Sequence, residues 1–414
     1  MVLQRRDGRM RQTSHPLTKM PTVVGGFSGS FDTFITQAEF YGPRRCMSHL
    51  ARIDQLFLDV DTYRVPEMQG RSPEGLVYCA LYAAAEVGLP APSIVLFSGR
   101  GLYLKWFLEH PVPQRGIVRW NAVERVLVDR LAHFGADPQA KDASRVLRMH
   151  NTVNSKTGEM CRVMHVYTGP DGDPVRYNFE LMAEELLPVG RQELAARKRE
   201  LAQRERYRLV KGSKTSHLRC FSGRQLAWHR VLDLRRLVEL RNGVREGERM
   251  KHLFWQTTFL LLSGVRNSRD MYKEAAILAG AIDPSWNHRS PELSTLYRKA
   301  KEYEAGESVE FEGRKYPSLY TPKNDTLINL FQITDGEQQQ LQTIISTGMA
   351  AERHRVRREA GRRSEGAVDR QCFLRGADFK KKKARQLRKE GFSVAAIAGK
   401  LICSERAVKG YLQR

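Results

Sequence analysis

The sequence predicts an α+β fold for the first half of this 414-residue chain and an all-α fold for the rest. Short apolar runs at residues 55–58 and 94–97 have the length and composition of buried strands. They alternate with helical patterns, one that begins with Pro at residue 73 and one over residues 117–134. Later in the chain the apolar residues recur at helical spacing only. Strands mixed with helices, followed by helices alone, indicate separate domains.

The first candidate site residues stand at the end of the first apolar run. Asp59 and Asp61 flank Val60, and the two-residue period of a strand would place both carboxylates on one face. Like charges this close repel unless a cation lies between them, and Mg²⁺ or Mn²⁺ is the usual cation for such a pair. The pattern therefore predicts a divalent-metal site. The alternative is an acidic pair that only ends a strand and starts a turn.

A glycine-rich turn follows the second apolar run. Its residues are Ser98, Gly99, Arg100 and Gly101. The glycines would let backbone N–H groups approach an anion, and Arg100 adds positive charge. In the next strand, Tyr103 and Lys105 share one face. The turn is suited to a triphosphate, and an ordinary glycine-containing hairpin is the alternative.

A third cluster joins an acid to cations and amides. Its residues are Asp142, Ser144, Arg145, Arg148, Asn151, Asn154 and Lys156. Arg145 and Arg148 could grip phosphate through paired hydrogen bonds, while Asp142 completes the ligand set of the metal. Surface ion pairs among the same residues are the alternative.

Residues 30–185 resemble the catalytic domain of the archaeo-eukaryotic primase superfamily, in its plasmid replication-protein branch. The matching motifs are D-V-D at 59–61, S-G-R-G-L-Y-L-K-W at 98–106 and D-A-S-R-V-L-R-M-H-N-T-V-N-S-K-T-G at 142–158. The resemblance implies an RRM-like core with a mixed sheet and flanking helices. It also implies that Asp59, Asp61 and Asp142 bind Mg²⁺ or Mn²⁺, and that Ser98, Arg100 and Lys105 contact the incoming nucleotide.

Two positions depart from the family pattern. Tyr103 stands where many relatives have a histidine, and His150-Asn151 replaces the usual Pro-Gly. The implied activity is primer synthesis from nucleoside triphosphates, and two-metal transfer needs no side-chain nucleophile. The sequence has no G-x-x-x-x-G-K-[ST] loop for ATP-driven unwinding. Two alternatives stay open, a non-catalytic DNA-binding replication or transcription regulator and a metal-dependent nuclease that nicks the origin.

Composition predicts nucleic-acid partners. The chain has 69 Lys and Arg against 46 Asp and Glu, a net charge of +23. We expect it to bind single-stranded template and duplex origin DNA, with a host helicase or polymerase as a further partner. No apolar run is long enough to span a membrane, so a cytoplasmic location is expected. Six unclustered cysteines predict reduced thiols, and Cys46-x-x-His49 and Cys161-x-x-x-His165 are each at most half of a zinc site.

The pattern along the chain predicts six segments. They are a basic flexible arm at 1–28, the catalytic domain at 29–190, a charged linker helix at 191–215, a helical domain at 216–306, a basic linker at 307–375 and a helix-turn-helix at 376–414. The helical domain resembles the one that commonly follows primase catalytic domains and assists initiation, through a G-x-R-x-x-x-L-like run at 247–253. A packing role without activity of its own is the alternative.

The last segment predicts a DNA-binding module. Ser393 and Ser404 are suited to cap two short helices joined by a tight turn. The second helix would enter the major groove of duplex DNA. Its candidate contacts are Ser404, Glu405, Arg406 and Lys409. A helical hairpin that binds another protein is the alternative. Together, the segments predict a plasmid-type replication initiation protein that tethers priming to the origin.

Overall fold

A mixed sheet with flanking helices forms the first half of the chain, and helices dominate the rest, so the predicted α+β fold followed by all-α segments is confirmed. The computed structural model describes residues 1–6, 8–27, 29, 32–188, 214–286, 288, 290–311, 314–364 and 370–413. The chain divides into two units, Met1–Ile344 and Ile345–Arg414.

Twelve strands occur in the described residues. They are β1 (Val2–Arg6), β2 (Arg9–Thr13), β3 (Thr33–Thr36), β4 (Glu39–Phe40), β5 (Leu50–Val60), β6 (Ile94–Phe97), β7 (Leu102–Pro113), β8 (Val146–Arg148), β9 (Arg162–Val166), β10 (Arg176–Tyr177), β11 (Ser308–Phe311) and β12 (Arg314–Pro317). One sheet has the order β4-β5-β7-β6-β9, with β10 parallel to β7. A second antiparallel sheet has the order β2-β1-β3-β8.

Fourteen α-helices surround and follow the sheets in the described residues. They are α1 (Met20–Gly25), α2 (Pro73–Glu86), α3 (Ile117–Arg130), α4 (Phe179–Leu186), α5 (Lys214–Leu240), α6 (Arg249–Leu262), α7 (Met271–Ile282), α8 (Ser294–Glu304), α9 (Asn324–Phe331), α10 (Asp335–Gln340), α11 (Thr347–Ser364), α12 (Arg370–Lys389), α13 (Val394–Leu401) and α14 (Glu405–Leu412). No helix in the described parts of the chain is both long and apolar enough to cross a bilayer.

Helix α3 packs directly on the strand that carries the first acidic pair. The indole of Trp120 lies with its centroid 5.8 Å from that of Phe57, and its N–H donates to the carbonyl of Gln55. Glu124 is fully buried one turn further on and accepts a hydrogen bond from the Phe57 N–H. Because both faces of β5 are covered here, its central residues are continuously apolar.

The N-terminal segment differs from the expected flexible arm. Strand β1 pairs with β3, which places Val2 and Leu3 in the core, and β2 continues the sheet at its edge. The expectation gave too much weight to the arginines of this segment. The apolar residues that open β1 are buried, whereas Arg5 and Arg6 at its end are exposed, so one short strand holds both kinds of side chain.

Of the two predicted linkers, the first lies almost wholly outside the described residues, and the second differs from expectation. Residues 189–213, which include most of the charged linker helix, lie outside the described residues. The segment expected as a basic linker from residue 307 contains a hairpin and three helices, and up to Ile344 it belongs to the first unit. Asp233 of α5 fixes the C-terminal end of the first unit, because its carboxylate accepts hydrogen bonds from the N–H groups of Gln342, Thr343 and Ile344.

Three helices of the second unit, α12, α13 and α14, pack around a small core. Ala384, Leu387, Ile397, Ala398 and Val408 form that core. The predicted helix caps are confirmed, since the Ser393 hydroxyl accepts from the Ala396 N–H and the Ser404 hydroxyl from the Ala407 N–H. Ser404 is therefore engaged as a cap, while Glu405, Arg406 and Lys409 are exposed on α14.

Candidate active site

Asp59 and Asp61 lie at the end of β5, and a third acid lies directly beside them. Val60 forms an antiparallel bridge with Ala136. The N–H of Asp137 donates to the carbonyl of Asp59 at 2.8 Å, and the N–H of Asp61 donates to the carbonyl of Gly135 at 2.8 Å. Asp137 is thus the cross-strand neighbour of Asp59, and residues in that relation carry their side chains on one face. The sequence analysis did not identify Asp137 as a site residue. The sequence marks it only by its position, two residues after Gly135, the glycine that ends a helical pattern.

Arg145 joins two of these acids. One of its guanidinium nitrogens lies 3.5 Å from Asp59 and 3.3 Å from Asp137. Burial raises the pKa of Asp59 to about 6; the charges of Asp61 and Asp137 add to the shift, and Arg145 opposes it. The carboxylates are therefore crowded enough for their charges to interact. Asp61 is also paired, with Arg64 at 3.1 Å.

Asp142 lines the same cavity as Asp59 and is paired with an arginine from the helical segment, and its expected place with Asp59 and Asp61 around a shared cation stays a prediction. Its carboxylate forms an ion pair with Arg266, which follows helix α6, and accepts from the N–H and hydroxyl of Ser144. Although burial opposes the shift, Arg266 and Ser144 hold the pKa of Asp142 below its usual value. Nothing near Asp142 in the sequence signals a partner so far along the chain.

The Ser98–Gly101 turn joins β6 to β7 as predicted, and its glycines are required by packing. A Cβ at Gly99 would lie 2.7 Å from the Asn154 Cβ, and one at Gly101 would lie 2.3 Å from the Val60 carbonyl oxygen. The Ser98 hydroxyl closes the turn by bonding to Gly101. Contact of these residues with a nucleotide stays a prediction.

Arg100 of the turn and Lys105 of β7 each contact another side chain of this protein. Arg100 stacks on the ring of Tyr63, with 3.6 Å between the guanidinium carbon and the ring centroid. Lys105 donates to the Gln37 side chain at 2.7 Å, and burial lowers the pKa of its ammonium to about 8. Nucleotide contact by either side chain remains a prediction.

The remaining predicted phosphate-binding residues divide between buried and exposed positions. Arg148 is buried and forms an ion pair with Asp32. Tyr103 is buried directly opposite Asp59, and its hydroxyl accepts from the Arg148 N–H at 3.3 Å. Asn154 is buried and donates to the Ser98 carbonyl, whereas Lys156 is exposed. Of this group, only Lys156 has a side chain directed to solvent.

A cavity of about 820 Å³ adjoins the acids. Asp59, Tyr103, Asp142 and Arg145 line it, together with Asn121 of α3. Its charged lining is strongly cationic, because three aspartates face eight basic side chains. Those basic residues are Arg5, Arg45, Arg125, Lys141, Arg145, Arg266, Arg269 and Lys273. A polyanion is the ligand class that such a lining favours.

The described acids of the site do not form a ready metal-binding cluster. In the described part of the chain, no three Asp, Glu, His or Cys side chains converge in a geometry that would hold a metal ion. Arg145 occupies the space between Asp59 and Asp137, where its positive charge balances them. A cation that replaced this guanidinium would meet the same crowded oxygen ligands, which hard divalent cations prefer. Cys46 and His49, half of a possible zinc site, bond to each other at 2.9 Å.

Comparison with known proteins gives one similar sequence and several loosely similar structures. The chain is 28% identical over 317 residues to a replication protein of Clostridium perfringens, covering 76% of this chain and 68% of that protein. No family model matches the chain.

Three solved structures resemble parts of the fold. The primase-polymerase domain of cyanophage S-2L matches with a TM-score of 0.32 and 18% identity, over 45% of this chain and 88% of that one. The catalytic domain of primase RepB' in complex with initiator DNA matches with a TM-score of 0.27 and 12% identity, over 49% and 88%. Primase RepB' matches with a TM-score of 0.27 and 14% identity, over 72% and 88%.

Proposed function

We propose that this chain, which is similar to a replication protein and carries motifs that resemble those of the archaeo-eukaryotic primase superfamily, is a plasmid-type replication initiation protein with DNA primase activity. The first unit would carry out template-directed nucleotidyl transfer, and the second would bind duplex origin DNA. The observation that carries the proposal is the juxtaposition of Asp59, Asp61 and Asp137 beside a strongly cationic cavity.

The acidic trio of Asp59, Asp61 and Asp137 would hold Mg²⁺ or Mn²⁺ once Arg145 has moved away from between them. The chemistry that a bound cation supplies is stabilisation of charge on the attacking 3′ oxygen and the leaving pyrophosphate. The released Arg145 would be free to bind a phosphate of the incoming nucleotide, for which its planar guanidinium is suited. No side chain of the trio needs to act as a nucleophile.

The cavity supplies the other contacts that a nucleoside triphosphate needs. Its basic side chains would balance the charge of the triphosphate. Asn121 lines the same cavity, and its side-chain oxygen is buried without a hydrogen-bond partner among the described residues. A buried polar atom in this state favours a ligand donor, such as a sugar hydroxyl or a base N–H.

Primer synthesis on single-stranded DNA tests the proposal. Labelled ribonucleotides and deoxyribonucleotides are supplied in turn with Mg²⁺ or Mn²⁺, to the wild type and to Asp59→Asn and Asp61→Asn. We expect product from the wild type and none from either variant, with duplex binding retained in all three. Synthesis by both variants would refute the site.

One observation favours the non-catalytic regulator as a second candidate. In the described residues each acid of the trio is paired with an arginine, and no ready three-ligand metal site is present. Absence of product from the wild type with every nucleotide and cation, together with retained DNA binding, would establish that candidate. A supercoiled plasmid assay under the same conditions would detect origin nicking.

A further inference from the structure

Arg266 connects the helical part of the first unit to the loop that adjoins the acidic trio. It lies between helices α6 and α7, and its side chain is only 5% exposed. The guanidinium forms three contacts: an ion pair with Asp142, a hydrogen bond to the Ser144 hydroxyl and a 2.7 Å bond to Glu274 of α7. Glu274 is itself 1% exposed, so this ion-pair network is buried.

The loop held by Arg266 is residues 137–145, and it carries two residues of the site. Asp137 stands at its start and Arg145 at its end. Backbone hydrogen bonds stabilise the loop from within. The N–H of Arg145 donates to the Asp142 carbonyl at 2.7 Å, and the N–H of Ala140 donates to the Asp137 carbonyl at 3.0 Å. The N–H of Asp142 also donates to the Ala140 carbonyl at 2.9 Å, so the position of Asp142 affects both ends of the loop.

Two further arginines hold the same loop. Arg269, three residues beyond Arg266, donates to the Gln139 side chain at 2.6 Å. Arg45, from the segment before β5, donates to the Ser144 carbonyl at 2.7 Å. The 137–145 loop has only irregular backbone, so contacts of this kind decide how well it is fixed.

We propose that Arg266 is a positioning residue of the active site: through Asp142 and Ser144, the helical segment fixes the 137–145 loop and so places Asp137 and Arg145 beside Asp59. This inference rests on the proposed function, since it assigns the loop a part in nucleotidyl transfer. It makes the helical segment an integral part of the site rather than an independent module. Asp142 accordingly acts as the attachment point for Arg266.

The test compares the full chain with Arg266→Gln and Arg266→Lys. Steady-state primer synthesis gives kcat and the KM for the nucleotide, below the melting temperature of every variant. Misplacement of catalytic groups by about 1 Å can lower a rate about 100-fold, and we expect a fall in kcat of that order for Arg266→Gln. The KM for the nucleotide should rise by no more than about threefold, because Arg266 is one of eight basic side chains that line the cavity and the other seven are retained. Lysine keeps the charge without the fork geometry and should restore part of kcat.

Arg249→Gln is the matched control. Arg249 pairs with Asp283 at 2.9 Å at the other end of helix α6, and it does not line the cavity. Its loss should lower the melting temperature without lowering kcat. A merely structural role for Arg266 predicts the same result for Arg266→Gln, so an unchanged kcat in that folded variant would overturn the proposal.

Hydrogen exchange gives a readout that does not depend on activity. Peptides covering residues 137–145 should exchange faster in Arg266→Gln than in the wild type, and at the wild-type rate in Arg249→Gln. If Arg266→Gln does not fold, Ser144→Ala replaces it, because it removes one loop contact of Arg266 and leaves the pair of Arg266 with Glu274 in place. Unchanged exchange in the variant tested would overturn the inference. A wild type that makes no primer would instead overturn the proposed function, while exchange still decides the role of Arg266.

Discussion

Asp137 lies opposite Asp59 across a short antiparallel bridge, with its N–H donating to the Asp59 carbonyl at 2.8 Å. The two carboxylates also share one guanidinium nitrogen of Arg145. Asp142 lies near them in sequence and lines the same cavity, yet it pairs with Arg266. The two acids of one loop therefore have different expected roles, and substitution separates them.

Asp137→Asn should abolish primer synthesis, because it removes a charge from the acidic trio while preserving the size of the side chain. Asp142→Asn should only reduce synthesis, because the amide can still accept from Ser144 and keep part of the loop contact. Product formed per enzyme under single-turnover conditions measures both. Equal and complete loss in the two variants would assign Asp142 a direct part in the chemistry.

Substitution of Asp59 and substitution of Asp142 should have opposite effects on the free energy of unfolding. Burial raises the pKa of Asp59 from 3.8 to about 6 on folding. A carboxyl shifted in this direction stabilises the fold fully below pH 3.8, and this contribution is lost as the pH rises through about 6. Asp59→Asn should therefore increase the free energy of unfolding at neutral pH by about 1–3 kcal/mol. The gain should shrink as the pH is lowered, and urea unfolding across pH measures it.

Asp142→Asn is the control of opposite sign. Although burial opposes the shift, Arg266 lowers the pKa of Asp142, so its ionised form stabilises the fold above the usual carboxyl range. That stability is lost as the pH falls through the lowered pKa. The substitution should destabilise the protein at neutral pH. A destabilised Asp59→Asn variant at neutral pH would contradict the assignment of Asp59 as a crowded acid.

Local signals in the sequence predicted much of the sheet. The run of residues 94–97 is β6, the glycine turn follows it, and Ser72 caps α2 by accepting from the Gly75 N–H. Each of these features depends on residues within a few positions of one another. A strand period and a capping residue are therefore enough to predict them.

The parts that sequence reasoning missed depend on contacts between distant residues. Ser144 and Arg266 are 122 residues apart, and no spacing rule links them. Asp137 is beside Asp59 because a short bridge at Ala136 adds to the edge of β5, and a bridge of one residue has no periodic signal. The order of the motifs suggested the site, but only tertiary packing decides which acid completes it.

Gly101→Ala should destabilise the protein, because its methyl group would lie 2.3 Å from the Val60 carbonyl oxygen. Neither backbone can move without shifting the strand end that leads to Asp61. We expect a loss of about 2–3 kcal/mol in the free energy of unfolding, together with weaker primer synthesis. Gly42→Ala is the control: no atom lies within 4 Å of its added Cβ, and a surface change of this kind stays within about 0.5 kcal/mol. Similar losses in the two variants would contradict the close approach at Gly101.

Charge on helix α14 should set part of the affinity for duplex DNA. Arg406 and Lys409 are exposed there, whereas Val408 faces the core of the second unit. Each phosphate contact contributes about 0.9 to the slope of log affinity against log salt, so Arg406→Ala with Lys409→Ala should lower that slope by about 2. Fluorescence anisotropy with labelled origin DNA at several salt concentrations measures the change. Arg298→Ala with Lys299→Ala removes the same charge from helix α8 of the first unit and should leave the slope nearly unchanged. If both double variants reduce the slope equally, the binding reflects overall charge and α14 is not the recognition helix.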